Sequence, residues 1–272
     1  MNNSISYMII RIVFVLGFII SILGFLPRES KIKLFLIPNQ ELDLDYLMGD
    51  TLNPKMTKVA SFQISELITF KEYKKYLEEI KIDSSEAFYF AQLPDSNIAP
   101  PDIWKEYITS KRYDKYPVLG LSWNAAMNYC KWLTLKESIS DSSDIVYRLP
   151  YMKEWLCANY YLEKNKLQHD FNKKYSDWLI VPFDESRYNF NNGDFWYDYF
   201  YYHSKTDPPS LKRKRIIGSS YLFNGLKYKH YGYADRGYNY VGFRLVKEKI
   251  KSHQKGDIIN FYFEQYRLKS KK

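Results

Sequence analysis

Apolar and polar positions divide the chain into a long apolar run, a set of alternating stretches, and two segments with helical spacing. The run comes first. Ile12 to Leu26 carries no charge, and Met8 to Ile10 extend it beyond Arg11. Its fifteen residues match the hydrophobic region of a signal peptide, whereas the whole stretch, with Arg11 snorkelling, approaches a spanning helix. No small-residue cleavage pattern follows; the sequence passes straight into Pro27-Arg28-Glu29-Ser30. No cysteine follows either, which excludes lipidation there. Residues 1–26 therefore read as an uncleaved signal-anchor, with a cleaved signal peptide and a buried core helix as alternatives.

Alternation takes over from Lys33 to Ile37 and through Leu42, Leu44 and Tyr46, and returns as one period-two run from Val59 to Ser65. Thr69-Phe70-Lys71-Glu72 then has the Thr-x-x-Glu form of a capping box, and Tyr73, Tyr76, Leu77 and Ile80 share one face of the helix it starts. Residues 83–116 are polar and proline-bearing and predict a long loop with a helical turn near Trp104.

The strongest pattern is Pro117 to Tyr160. A short apolar run ends at Ser122, whose hydroxyl can cap a helix carrying Trp123, Ala126, Met127, Cys130 and Leu133 at i, i+3, i+4, i+7 spacing. Ser138 to Asp144 is polar and ends it. Tyr147-Arg148-Leu149-Pro150 forms a corner into a second helix, with Met152, Trp155, Leu156 and Tyr160 on its inner face. Two tryptophan-bearing amphipathic helices make the predicted core.

Composition narrows the class. At 272 residues the chain can hold one substantial core, and 27 tyrosines suit a loop-rich fold pinned by large side chains with polar tips. The formal charge of +9 gathers at Lys212 to Arg215 and from Lys247 to Lys272. No zinc-finger, basic-zipper or RNA-recognition signature accompanies it, so no nucleic-acid partner is expected. The patches read as solvated edges, or as surfaces facing anionic lipid or an acidic partner. The two cysteines, Cys130 and Cys157, fall on inward helix faces, where sequence leaves their pairing open. His169, His203, His230 and His253 have no metal-ligand spacing. There is no G-x-S-x-G, Walker loop or histidine–glutamate zinc motif.

Pro117, Val118, Ser122, Trp123, Ala126, Tyr129, Cys130, Trp132 and Leu133, followed by Tyr147, Arg148, Leu149, Pro150, Glu154 and Trp155, resemble the pattern of the formylglycine-generating-enzyme (sulfatase-modifying factor) family. Met48-Gly49 and Ile68 to Tyr76 match further family elements, Val241 to Val246 matches the closing G-F-R strand closely, and Arg215 to Tyr221 resembles a strand of the family that has a second arginine and a second glycine, so the resemblance runs from Leu36 to Val246. It implies an α+β, C-type-lectin-like fold with much irregular structure over residues 31–248, behind one N-terminal hydrophobic helix and ahead of a basic tail, 249–272.

The resemblance also bears on chemistry. The family's G-N-x-x-E-W motif helps bind structural calcium, and its counterpart here is Lys173 to Trp178, with lysines for the glycine and asparagine. Two ammonium groups disfavour a hard cation; Asp170 and Asp177 are the calcium candidates, against a solvated acidic loop. The oxidases hold copper with a cysteine pair before the closing G-F-R strand. The matching segment, Asn224 to Tyr240, contains no cysteine, so copper has no thiolate ligand set. The family's iron-dependent sulfoxide synthases draw histidines from an added helical domain for which no length remains. No catalytic residue is nominated, and Arg244 is expected to be an ion-pair partner. Asn189 to Tyr202 is a candidate aromatic platform for carbohydrate or a partner, or a half-buried loop.

The expected function is an exported, membrane-anchored, non-catalytic binding or assembly module of the cell envelope. Its domain would lie on the periplasmic or envelope side among protein partners, resembling gliding-motility and type IX secretion proteins. The alternative is a divergent metal-dependent oxidase or oxygenase of the same family.

Overall fold

The computed structural model describes residues 32–47, 56–140, 145–168, 171–180, 213–222 and 230–249. The chain divides into two compact units, Met1–Lys31 and Ile32–Lys272. The N-terminal apolar run, Met48-Gly49, Asn189 to Tyr202 and the tail beyond Lys249 lie outside the described residues. Among the described residues no helix is long and apolar enough to cross a membrane.

The first sheet brings distant parts of the chain together. Strands β1 (Leu34–Ile37), β4 (Phe62–Ser65), β10 (Val246–Lys249) and β5 (Ile145–Arg148) lie in that order, each pair antiparallel. A separate two-stranded sheet joins β2 (Gln40–Asp43) to β3 (Met56–Val59). In the third, β8 (His230–Tyr233), β7 (Arg213–Ile217), β6 (Ser176–Trp178) and β9 (Val241–Gly242) are adjacent, with β6 and β9 parallel.

Three expectations from periodicity need correction. Val59 to Ser65 is not one strand: the exposed Ala60-Ser61 pair breaks it, with the Ser61 amide donating to Asn39 Oδ1 at 2.6 Å, and its halves enter different sheets. Arg-Leu-Pro is not a bare corner either, since a strand, β5, runs into it. Residues 83–116 are not a loop. They hold α3 (Glu86–Ala91), α4 (Pro101–Thr109) and two 3-10 turns, following α1 (Leu44–Leu47) and α2 (Phe70–Asp83). Each short helix has its own start signal: Ser85 Oγ accepts from the Phe88 amide, and Pro101 occupies the first turn of α4. Their shortness and the prolines around them hid them, and no residue of either is fully buried.

The long helices follow the apolar spacing. The capping box at Thr69 is formed: its amide donates to Glu72 Oε2 at 2.7 Å and the Glu72 amide to Thr69 Oγ1 at 3.3 Å. Helix α5 (Trp123–Ser140) starts at Ser122, whose Oγ accepts from the Ala125 amide. Trp123, Ala126, Met127, Cys130 and Leu133 are all buried. On α6 (Met152–Lys164), Trp155 and Leu156 are buried as expected, but Tyr160 is only half-buried; Cys157, Ala158 and Leu162 take the interior instead. The Lys212–Arg215 patch is also corrected. Lys214 and Arg215 lie in β7 and are buried, with the Lys214 ammonium 4.2 Å from the Trp123 ring; their long stems let them pack as apolar material.

Candidate functional site

The best-matched motif turns out to be an ion-pair device. Arg148, at the end of β5, is buried and makes two parallel bonds to Glu154, Nη1 to Oε2 and Nη2 to Oε1, both 2.7 Å. Its Nε donates to Glu248 on β10 at 2.6 Å. Glu154 Oε2 also accepts the Tyr151 amide at 2.8 Å, closing the first turn of α6. The spacing of Arg148 to Glu154 is what lets one carboxylate cap a helix and meet a planar guanidinium.

Two indoles stitch the chain at the other end of this motif. Trp123 Nε1 donates to the Leu179 carbonyl at 2.9 Å, and Trp178 Nε1 to the Leu121 carbonyl at 3.0 Å. Both rings are buried.

Asp177, one of the two calcium candidates, lies beside them at the centre of a polar knot. It is fully buried, so it does not belong to a solvated acidic loop. Its Oδ2 accepts from Trp155 Nε1 at 2.8 Å and from Arg244 Nε at 3.1 Å. Arg244 is fully buried too, donates through Nη2 to the Phe171 carbonyl at 2.7 Å, and holds its guanidinium carbon 3.9 Å from the Phe171 ring. Arg244 is thus an ion-pair partner, as its sequence position suggested. Burial pushes the Asp177 carboxyl above the ordinary carboxylate range, and the Arg244 charge and the Trp155 hydrogen bond pull it part of the way back. A guanidinium in direct contact does not fit a calcium ligand set, which needs several oxygens around one cation. Asp170 lies outside the described residues, and among those described no group of three His, Cys, Asp or Glu could hold a metal.

The segment corresponding to the oxidases' cysteine pair is described from His230 onward. Tyrosines and backbone contacts fill it. Tyr238 packs on Trp178 at 5.8 Å between ring centroids, and its hydroxyl accepts the Tyr233 amide at 2.9 Å. The Gly120 amide donates to the Tyr238 carbonyl at 3.1 Å, the Asp95 amide to the Gly120 carbonyl at 2.8 Å, and the Gly237 amide to Asp95 Oδ2 at 3.2 Å. Three chain segments therefore close on one another, and Gly237 is what allows it: a Cβ there would lie 1.7 Å from the Gly120 carbonyl oxygen. Gly237→Ala should lower stability by about 1–3 kcal/mol in urea unfolding. A change below a few tenths would mean that these backbones do not meet.

Cys130 and Cys157 are unpaired and buried on α5 and α6. Desolvation drives the Cys130 thiol far up, and pushes Cys157 up to about 12. Both stay neutral at physiological pH, whereas nucleophiles and metal ligands act as thiolates. The expected result with an aromatic disulfide reagent at pH 8 is no reaction in the native state and two thiols titrated in denaturant. One rapid native thiol would refute the placement. Of the histidines, His169, His203 and His253 lie outside the described residues, and the backbone of His230 belongs to β8. Sequence reasoning missed the Arg148–Glu154–Glu248 pairs and the clamp at Asp95, Gly120 and Gly237; Arg148 and Glu154 were visible in the motif, while Glu248 lies 100 residues from Arg148 and nothing local marked the clamp.

Comparison with known proteins bears on the fold. The crystal structure of CarF covers 81% of this chain and 99% of its own, at 14% identity and a TM-score of 0.51, a likeness of fold. The structure of PvdO from Pseudomonas aeruginosa covers 79% of this chain and 94% of its own, at 13% identity and a TM-score of 0.45. No curated protein sequence matches. The family described as the sulfatase-modifying factor enzyme 1-like domain matches residues 39–191, more than half of the chain. The chain belongs to the sulfatase-modifying factor enzyme 1-like family.

Proposed function

We propose that this protein is an exported, membrane-anchored binding or assembly module of the cell envelope, built on the sulfatase-modifying-factor fold without its oxidase chemistry. The observation that carries the reading is the fate of the thiols. Asn224 to Tyr240 has no cysteine, and Cys130 and Cys157 are sealed in the core as neutral groups. Soft copper(I) needs thiolates it can reach, so this donor set does not fit it.

The membrane part rests on the uncharged run Ile12 to Leu26 and the missing cleavage pattern after it. Protein partners of the gliding-motility or secretion type are the expectation for such a module, and partner binding then falls to exposed side chains. Two measurements test the reading. Metal analysis of the purified full chain should find no stoichiometric copper or iron; one copper or iron per chain, with oxygen uptake, would establish the oxidase or oxygenase instead. Carbonate extraction followed by N-terminal sequencing should leave the chain in the membrane with its first residues intact. A soluble chain beginning near Arg28 would remove the anchor.

A further inference from the structure

We infer that residues 84–116 form a strap that opens as one unit ahead of the core, with Gln92 as its latch and the aromatic face of α2 concealed beneath it. This goes beyond the binding-module reading and does not depend on it.

The first ground is how little of the strap is buried. It leaves α2 at that helix's C-terminal end, passes through α3 and α4, and returns to the helix's start, where the Phe70 amide donates to the Tyr116 carbonyl at 2.9 Å. Of residues 84–116 only Gln92 and Pro94 are buried, and Phe90, Ile103 and Tyr116 stand exposed. Its apolar contacts with the core are partial ones, made by Tyr89, Leu93, Tyr107, Ile108 and Tyr113. On α2, by contrast, Phe70, Tyr73, Tyr76 and Leu77 are all buried. Hydrophobic stabilisation follows the apolar area removed from water, so lifting the strap forfeits less of it than opening α2 or α5.

The second ground is what holds the strap down. Gln92 is fully buried: its carbonyl accepts the Tyr73 hydroxyl at 2.8 Å, and its Oε1 accepts the Tyr76 hydroxyl at 3.1 Å and Asn128 Nδ2 at 3.2 Å. Next come the Asp95 contacts with Gly120 and Gly237, and Asn239 Nδ2 on the Ile98 carbonyl at 3.4 Å. Further on, the Tyr107 hydroxyl donates to the Leu119 carbonyl at 3.3 Å and accepts the Leu119 amide at 2.8 Å. Water can take over bonds of this kind once the strap lifts.

Other contacts stay within the strap. Trp104 Nε1 donates to the Pro94 carbonyl at 2.9 Å, Gln92 Nε2 to the Phe88 carbonyl at 3.3 Å, and the Tyr107 and Tyr113 rings pack at 5.2 Å. These survive opening and make the segment move together. Because the Tyr73 and Tyr76 hydroxyls both end on Gln92, release of that residue uncovers these two rings.

The test is native-state hydrogen exchange on the full chain in detergent, with urea raised to just below unfolding. Amides of α3 and α4 should share one level of protection, below that of α2 and α5, and depend less steeply on urea because less surface is exposed. Gln92→Ala should speed their exchange about tenfold or more. Should that variant fail to fold, Tyr107→Phe, which removes both bonds to Leu119, should also speed it. The strap is refuted if these amides match α2 and α5 in protection and urea dependence, if each exchanges at its own rate regardless of urea, or if the folded variants leave them unchanged.

Discussion

Arg244→Met should destabilise the protein by about 3–5 kcal/mol, the cost of stranding one member of a buried ion pair. Both partners are fully buried, and beyond their shared contact Asp177 has the Trp155 indole and Arg244 the Phe171 carbonyl, neither of which brings a compensating charge. The pH dependence follows from the carboxyl. Its folded pKa is already raised by burial, so its favourable contribution is present below the unfolded value, about 4, and is lost as pH rises through the folded value. Removing Arg244 removes the main lowering influence and lifts the folded value further. The deficit of the variant should therefore be smallest in acid and widen as pH rises from about 4. Urea unfolding of parent and variant across that range measures it; a deficit that is flat or shrinks with pH would contradict the pairing. In the double variant Asp177→Leu, Arg244→Met most of the loss should return, because no charge is left unpaired.

Trp155→Ala is the second large loss, about 3–5 kcal/mol. The ring is fully buried, packs on Phe171 at 5.2 Å and donates to the same Asp177 oxygen that Arg244 holds. Truncation opens a cavity and also takes a donor from a buried carboxylate. Trp155→Phe keeps most of the volume and should fall between. A melting temperature of Trp155→Ala within a degree or two of the parent would show that the indole does not hold this core.

These residues also mark how far the sequence could be read. The apolar stripe of α5 and the capping box at Thr69 were legible because their spacing is local and their pattern is carried by burial alone. So was the role of Arg244, though not its partner: Asp177 is 67 residues away in the chain, and pairings at that distance leave no local trace. Short helices α3 and α4 were missed because they are brief and sit among prolines, although α4 places Trp104, Tyr107 and Ile108 on one face, two of them against the core. Lys214 and Arg215 look like surface charges in sequence, but β7 has neighbours on both sides, β8 and β6, and carries them inward. The Gly237 contact depends on two loops meeting, which only the fold decides. What the sequence could settle about the candidate site was negative, the lack of cysteine from Asn224 to Tyr240. The tyrosine filling became visible only with Tyr238 and Tyr240 placed against Trp178 and Tyr221.

The central claim is that this fold has been kept without a thiol-based oxidase site. The most direct measurement offers the purified full chain a cysteine-containing sulfatase peptide with copper(I) and oxygen and follows the peptide by mass spectrometry. The account predicts that the peptide cysteine stays unchanged while a functional oxidase of the family, run in parallel, converts it to the aldehyde. Aldehyde formation by this chain that is lost in Cys130→Ser or Cys157→Ser, with the variants still folded, would contradict it.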